Sequence, residues 1–198
     1  MAGEVVTMRL VPGGKIHVHV RYEVEGNLRS GQAMVFPETE WFPLEIFKAR
    51  WNGRDLPVVR DQAPADAYYS YRDRRFTAVH RFTVPPTERT VGRKTHLLEN
   101  EYEYRPPYHG PGSKTDDPEG RYVEYTLVTG STWRGAIGYV KVIFHTGCIP
   151  CEKIIVLPGS YRGACTGGYT WEFHEKNIVP DRDINLLLPL QANHSCNN

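Results

Sequence analysis

The sequence predicts an all-β fold: an antiparallel β-sandwich, immunoglobulin-like or jelly-roll-like, built as a single domain over residues 1–198 with little helix. Three observations predict it. Apolar and polar residues alternate with a period of two along most of the chain, proline- and glycine-rich turns recur at short intervals, and no long amphipathic helical pattern occurs. With 198 residues, 40% hydrophobic and 24% charged, the chain has the size and composition of one globular domain.

The alternation is clearest in KIHVHVRYEV, 15–24. There Ile16, Val18, Val20 and Tyr22 share one face, and Lys15, His17, His19, Arg21 and Glu23 share the other. RRFTAVHRFTV, 74–84, groups Phe76, Ala78, His80, Phe82 and Val84. GYVKVIFH, 138–145, sets Val140, Val142 and Phe144 against Tyr139, Lys141 and Ile143. Further strands are expected at VVTMRL, QAMVF, LEIFKARW, DLPVV, THLLENEYEY, YVEYTLV, KIIVL, YTWEFH and DINLLL.

Turn signals separate these runs, among them Pro12-Gly13-Gly14, Asn52-Gly53, Pro85-Pro86 and Pro158-Gly159. Asn52-Gly53 is the clearest hairpin, because both residues accept the positive φ of a type I′ turn. One short helix is expected in APADAYYSY, 63–71. A polar loop insertion is expected at about 106–120.

Charge excludes some classes of function. Lys plus Arg number 24 and Asp plus Glu 23, a net charge of +1, which gives no support to nucleic-acid binding. No window approaches the ~18 apolar residues of a membrane span, and no signal-peptide pattern opens the chain.

Taken in order, VRYEV (20–24), MVFPETEW (34–41), WNGRDL (51–56), TGSTWRGAIG (129–138) and IVPDRDINLLL (178–188) resemble a bacterial family of extracytoplasmic proteins of unknown function. Its pattern runs FP, NG, TGxxWxGxIG, PDxD. The resemblance implies a β-rich secreted or periplasmic protein, made with a signal peptide that would have been removed here. It carries no catalytic residues.

Within TGSTWRGAIG, Gly130, Gly135 and Gly138 open backbone conformations closed to other residues, and Trp133 supplies a large apolar anchor. The segment reads as a corner, where the chain leaves one sheet and re-enters the other at Tyr139. Anion binding by the Gly130-Ser131-Thr132 backbone is the alternative.

Four groups of side chains have chemical potential. Cys148, Cys151, Cys165 and Cys196 fit two disulfides in the C-terminal quarter, with free thiols or metal and redox use as alternatives. Bridges Cys148–Cys151, Cys148–Cys165 and Cys151–Cys196 are all conceivable. His17 and His19 have the spacing at which a strand presents two imidazoles to a divalent metal, although Lys15 and Arg21 on that face repel a cation. Asp116, Asp117 and Glu119, or Asp181 and Asp183, offer oxygen ligands for calcium; Asp181 and Asp183 read more simply as turn residues bonded to local N–H groups.

Twelve tyrosines and four tryptophans make an aromatic contact surface plausible, with Trp133, Tyr68, Tyr69, Tyr71 and Tyr108 as its candidates. The expected function is a non-catalytic binding or structural module of the cell envelope that contacts a glycan or protein partner and needs no cofactor. A metal-dependent enzyme using the His17/His19 strand is the alternative.

Overall fold

The computed structural model describes residues 1–26, 32–62, 68–69, 74–85, 95–110, 118–127 and 136–190. The fold is all-β, with one large sheet covered by two smaller ones. In the eight-stranded sheet the order is β14 (Ala164–Gly167), β15 (Thr170–Ile178), β12 (Ile137–His145), β1 (Gly3–Val11), β2 (Lys15–Glu25), β9 (Thr95–Tyr104), β4 (Leu44–Trp51) and β5 (Arg54–Leu56). A second sheet orders β10 (Tyr108–His109), β11 (Gly120–Tyr125), β16 (Ile184–Leu188) and β13 (Ile155–Val156). The third orders β3 (Gln32–Thr39), β8 (Arg74–Val84) and β6 (Val59–Gln62), with β7 (Tyr68–Tyr69) paired to β8. Among the described strands the pairings are antiparallel except β1 with β12, which run parallel.

The alternation seen in the sequence sets the register. Val6 faces Val20, Met8 faces Val18 and Leu10 faces Ile16 across the β1–β2 pair. Val6, Met8, Ile16, Val18 and Val20 lose all their solvent exposure, each such burial being worth about 1.5–3 kcal/mol. A slip of one residue would turn this whole set to water, which pins the pairing.

Two apolar clusters result. Under the second sheet, Val123, Tyr125, Ile184, Leu186 and Leu188 pack with Val6, Met8, Val140, Val142, Phe144 and Trp171. Under the third, Phe82 and Val84 pack with Val24, Ala49, Trp51 and Leu98.

The turns follow their residues. Asn52 and Gly53 have φ of 49° and 78° and join β4 to β5, as the type I′ reading requires. DLPVV is divided. Pro57 lacks an N–H for the ladder, and the chain passes from β5 in the large sheet to β6 in the third sheet across it. Gly138 is needed for a close approach: a Cβ there would lie 2.3 Å from the carbonyl oxygen of Ala2. The N-terminal segment crosses at that point, with the Gly138 amide donating to the Met1 carbonyl at 3.2 Å. β11 and β12 do lie in different sheets, so the chain changes layer between them; residues 128–135, with Trp133, lie outside the described residues.

Two expectations are corrected. Within the stretch expected to be a short helix, Tyr68 and Tyr69 form a strand opposite Arg75 and Arg74, since ladder pairing to β8 satisfies their backbone. Among the described residues the only helical element is a 3-10 turn at Cys151–Lys153.

The second correction concerns the cysteines. Cys151 bridges Cys165, with their Cα atoms 5.8 Å apart, which excludes all three pairings considered from the sequence. The reason is local. The Cys151 amide donates to the Gly168 carbonyl at 2.8 Å, which lays the 3-10 turn beside the β14–β15 hairpin and within bridging reach of Cys165. Cys148 is also disulfide-bonded. Inside the expected polar loop, Tyr108 and His109 form β10 and pair with Arg121 and Gly120.

Candidate functional site

One face of the eight-stranded sheet is covered and the other is open. On the open side β2 presents Lys15, His17, His19 and Arg21, β1 presents Thr7 and Arg9, β9 presents Glu99, Glu101 and Glu103, and β4 presents Lys48 and Arg50. The register brings them together: His17 is opposite Arg9 and Glu103, and His19 is opposite Thr7 and Glu101. Lys48 and Arg50 pair with Glu101 and Glu99.

Thr7 is the short side chain in this array. Around it a hollow of about 250 Å³ opens, lined by Thr7, Arg9, His17, His19, Arg50 and Glu101.

The carboxylates of β9 are largely engaged. Glu103 takes His17 Nδ1 at 3.4 Å and Lys15 at 3.8 Å. Glu99 takes His19 Nε2 at 3.3 Å. Glu101 takes Lys48 at 3.5 Å and Arg50 at 3.7 Å, while Arg50 holds Asp55 more closely at 2.8 Å. Nearby, Lys15 bonds Glu45 at 2.5 Å and holds that carboxyl below its ordinary range, assisted by Arg105. Arg9 and Arg21 have no ion-pair partner among the described residues.

His17 and His19 are therefore half-exposed neighbours on one face, each facing its own glutamate. Among the described residues no group of three His, Cys, Asp or Glu side chains is placed to hold a metal ion. Tyr108, half exposed, donates its hydroxyl to Glu119 at 3.1 Å. Tyr68 and Tyr69 are described in their backbone alone, and Trp133, Tyr71, Asp116, Asp117 and Cys196 lie outside the described residues. Asp181 accepts from Arg182 at 3.0 Å and from the Tyr161 hydroxyl at 2.9 Å, and these bonds together with its own backbone N–H hold its carboxyl below the ordinary range. Asp183 is buried.

Two buried polar groups were not singled out from the sequence. Glu4 points into the core from β1 and accepts the Tyr125 hydroxyl at 2.5 Å, with the Tyr22 hydroxyl 3.5 Å from that of Tyr125. Burial pushes the Glu4 carboxyl up to about 7, against the pull of the Tyr125 hydrogen bond. Asn100 is also buried, and its side-chain oxygen has no hydrogen-bond partner among the described residues.

On the third sheet Glu38 is buried. It accepts two bonds from Arg60, at 2.8 and 3.0 Å, and one contact from His80 Nε2 at 3.0 Å. Desolvation opposes ionisation of Glu38, but the bonds from Arg60 and His80 prevail and hold its carboxyl below the usual range. The signal for Glu38 was available in part: alternation put His80 on the core face, where an imidazole needs a partner.

These features define a disulfide-bonded β-sandwich with one covered and one open, charged sheet face. The fold is similar to that of a Legionella pneumophila protein provisionally described as nutrient-binding, with a TM-score of 0.63 and 13% identity over 94% of this chain and 65% of that one. It is also similar in part to an M1 zinc metallopeptidase from Deinococcus radiodurans (TM-score 0.44, 13% identity, 93% of this chain and 41% of that one). An aminopeptidase N family protein from Idiomarina loihiensis gives a TM-score of 0.41 at 12% identity, over 92% of this chain and 29% of that one. The chain thus spans less than two thirds of the length of each of these proteins, and at such identities the likeness is one of fold. No protein-family model matches the sequence, and no curated protein does.

Proposed function

We propose that this chain is an extracytoplasmic binding module whose ligand, a glycan or a protein partner, docks on the open face of the eight-stranded sheet. The observation that carries this reading is the hollow around Thr7, walled by Arg9, His17, His19, Arg50 and Glu101. Sheet faces in globular proteins are normally covered or evenly solvated. Here a concavity is lined by convergent polar and charged groups, which can hold a polar ligand by charge and hydrogen bonds.

The Cys151–Cys165 bridge supports an oxidising compartment, since such bonds persist outside the reducing cytosol. The provisional nutrient-binding description of the Legionella protein agrees with a binding role. The site needs no cofactor for this work.

Filling the hollow tests the reading. Thr7→Arg places a long side chain on its floor while leaving the covered face untouched. Bound glycans or peptides detected on arrays with the wild-type protein should be lost with this variant. Equal signals from both proteins would move the binding surface elsewhere.

A further inference from the structure

Resting on that binding reading, we infer that the hollow takes a hydroxylated carboxylate of the uronate type, as a free sugar acid or as one residue of an acidic polysaccharide. Arg9 supplies the charge. It is exposed, and the nearby acids face other groups: Glu103 faces Lys15 and His17, Glu99 faces His19, and Glu101 faces Lys48 and Arg50. A guanidinium without an ion pair among the described residues presents a planar fork of donors, matched to a carboxylate.

The other lining groups ask for hydroxyls. His17 commits Nδ1 to Glu103 and His19 commits Nε2 to Glu99. A neutral imidazole donating at one nitrogen accepts at the other. Glu101 lies 3.5 and 3.7 Å from its cations, longer than a strong charge-assisted bond, so its oxygens keep capacity to accept. The Thr7 hydroxyl can donate or accept, and it makes no side-chain hydrogen bond with the described residues.

Of the two guanidinium groups in the lining, Arg50 is held by Asp55, so one unpaired donor fork with acceptors around it selects among ligands. Sulfate or phosphate would satisfy Arg9 but turn bare oxygens toward the imidazole and carboxylate acceptors. A neutral sugar would satisfy the acceptors and leave Arg9 unpaired. A uronate satisfies both, with its carboxylate on Arg9 and its hydroxyls toward His17, His19 and Glu101. No Phe, Tyr or Trp ring lines the hollow, so recognition rests chiefly on charge and hydrogen bonds. At about 250 Å³ the space suits one sugar residue, and its openness lets a polymer continue across the sheet.

The test is amide-shift titration of the ¹⁵N-labelled protein with galacturonate, oligogalacturonate, galactose, glutamate and sulfate, in the wild type, Arg9→Ala and the distant surface variant Arg162→Ala. Saturable uronate shifts on β1 and β2 are expected, weakened at least tenfold by Arg9→Ala and unchanged by Arg162→Ala. Spectral dispersion reports folding of each variant in the same experiment, and Arg9→Lys, with a weaker loss, serves if Arg9→Ala unfolds. Tighter binding of the oligomer assigns the polymeric source, and equal binding per residue assigns the free acid. Galactose equal to galacturonate, sulfate equal to it, or glutamate tighter than it overturns the uronate assignment but leaves the face a binding surface. No shift on this face with any probe, including ligands found on the arrays, overturns both readings.

Discussion

Glu4→Gln should stabilise the protein above neutral pH and leave it unchanged in acid. Glu4 is 3% exposed and lies between the large sheet and Tyr125 of the second. Its carboxyl has an ordinary value of 4.5 and is pushed up to about 7 by burial. At about 1.4 kcal/mol per unit, that shift amounts to about 3 kcal/mol. Below pH 4.5 the group is protonated in both the folded and the unfolded chain, and burial carries no ionic penalty. Between 4.5 and 7 the unfolded chain ionises first, so stability falls as pH rises. Above 7 both states are ionised and the folded state bears the whole penalty.

Gln keeps the size of Glu and still accepts the Tyr125 hydroxyl through its amide oxygen. Urea unfolding of both proteins without reductant, at intervals from pH 4 to pH 9, measures the difference. The gain for Gln should be near zero at pH 4, climb by about 1.4 kcal/mol per pH unit, and level off near 3 kcal/mol above pH 7. Other titrating groups cancel in the subtraction. A difference that does not vary with pH, or one that grows toward acid, would refute the argument that Glu4 is held uncharged by burial.

Four further outcomes are expected. Tyr125→Phe removes the hydroxyl that favours the Glu4 carboxylate, so the Glu4 titration followed by carboxyl ¹³C shifts should move further upward. Arg60→Ala strips two bonds from buried Glu38 and should cost about 1–3 kcal/mol in urea unfolding, with Arg60 itself half exposed and so partly replaced by water. The Cys151–Cys165 bridge closes a sequence separation of 14 residues; Cys165→Ser should lower stability by about 3 kcal/mol, and non-reducing peptide mapping of the wild type should recover the linked pair. Gly53→Ala places a Cβ at φ 78° and should cost about 1 kcal/mol, read as a lowered Tm.

Most of the strands were legible because period-two alternation is a local signal that survives in the fold. β2 shows this best: Ile16, Val18 and Val20, read as apolar-facing, are buried, Tyr22 is half-buried, and His17 and His19 emerge on the opposite face. The partner of each strand was not legible. β1 pairs in parallel with β12, far along the chain, and nothing within GEVVTMRLV specifies a parallel neighbour. Glu4 shares the inward face of Val6 and Met8 by alternation, but its partner Tyr125, on a strand of the second sheet, could not be read from β1. Cys151 was visible as a cysteine but not as a partner of Cys165, since that choice follows from the docking of a turn onto a hairpin.

The candidate site failed to appear in the sequence for a related reason. His17 and His19 drew notice as an HVH pair, yet the hollow needs Thr7 and Arg9 from β1, Glu101 from β9 and Arg50 from β4. Only cross-strand register assembles that group. The same register supplies its rigidity. Val6 and Met8 alternate with Thr7 and Arg9, and Ile16, Val18 and Val20 alternate with His17 and His19; all five of these apolar side chains are fully buried. Each lining residue of β1 and β2 is thus flanked by anchors in the core, so its backbone is held before any ligand arrives. A ligand there has little ordering of the backbone to offset, and its affinity is set by the match of charges and hydrogen bonds. Substitutions of Arg9, which makes no ion pair among the described residues, should accordingly change binding while leaving stability within about 0.5 kcal/mol, as surface changes away from caps and networks usually do.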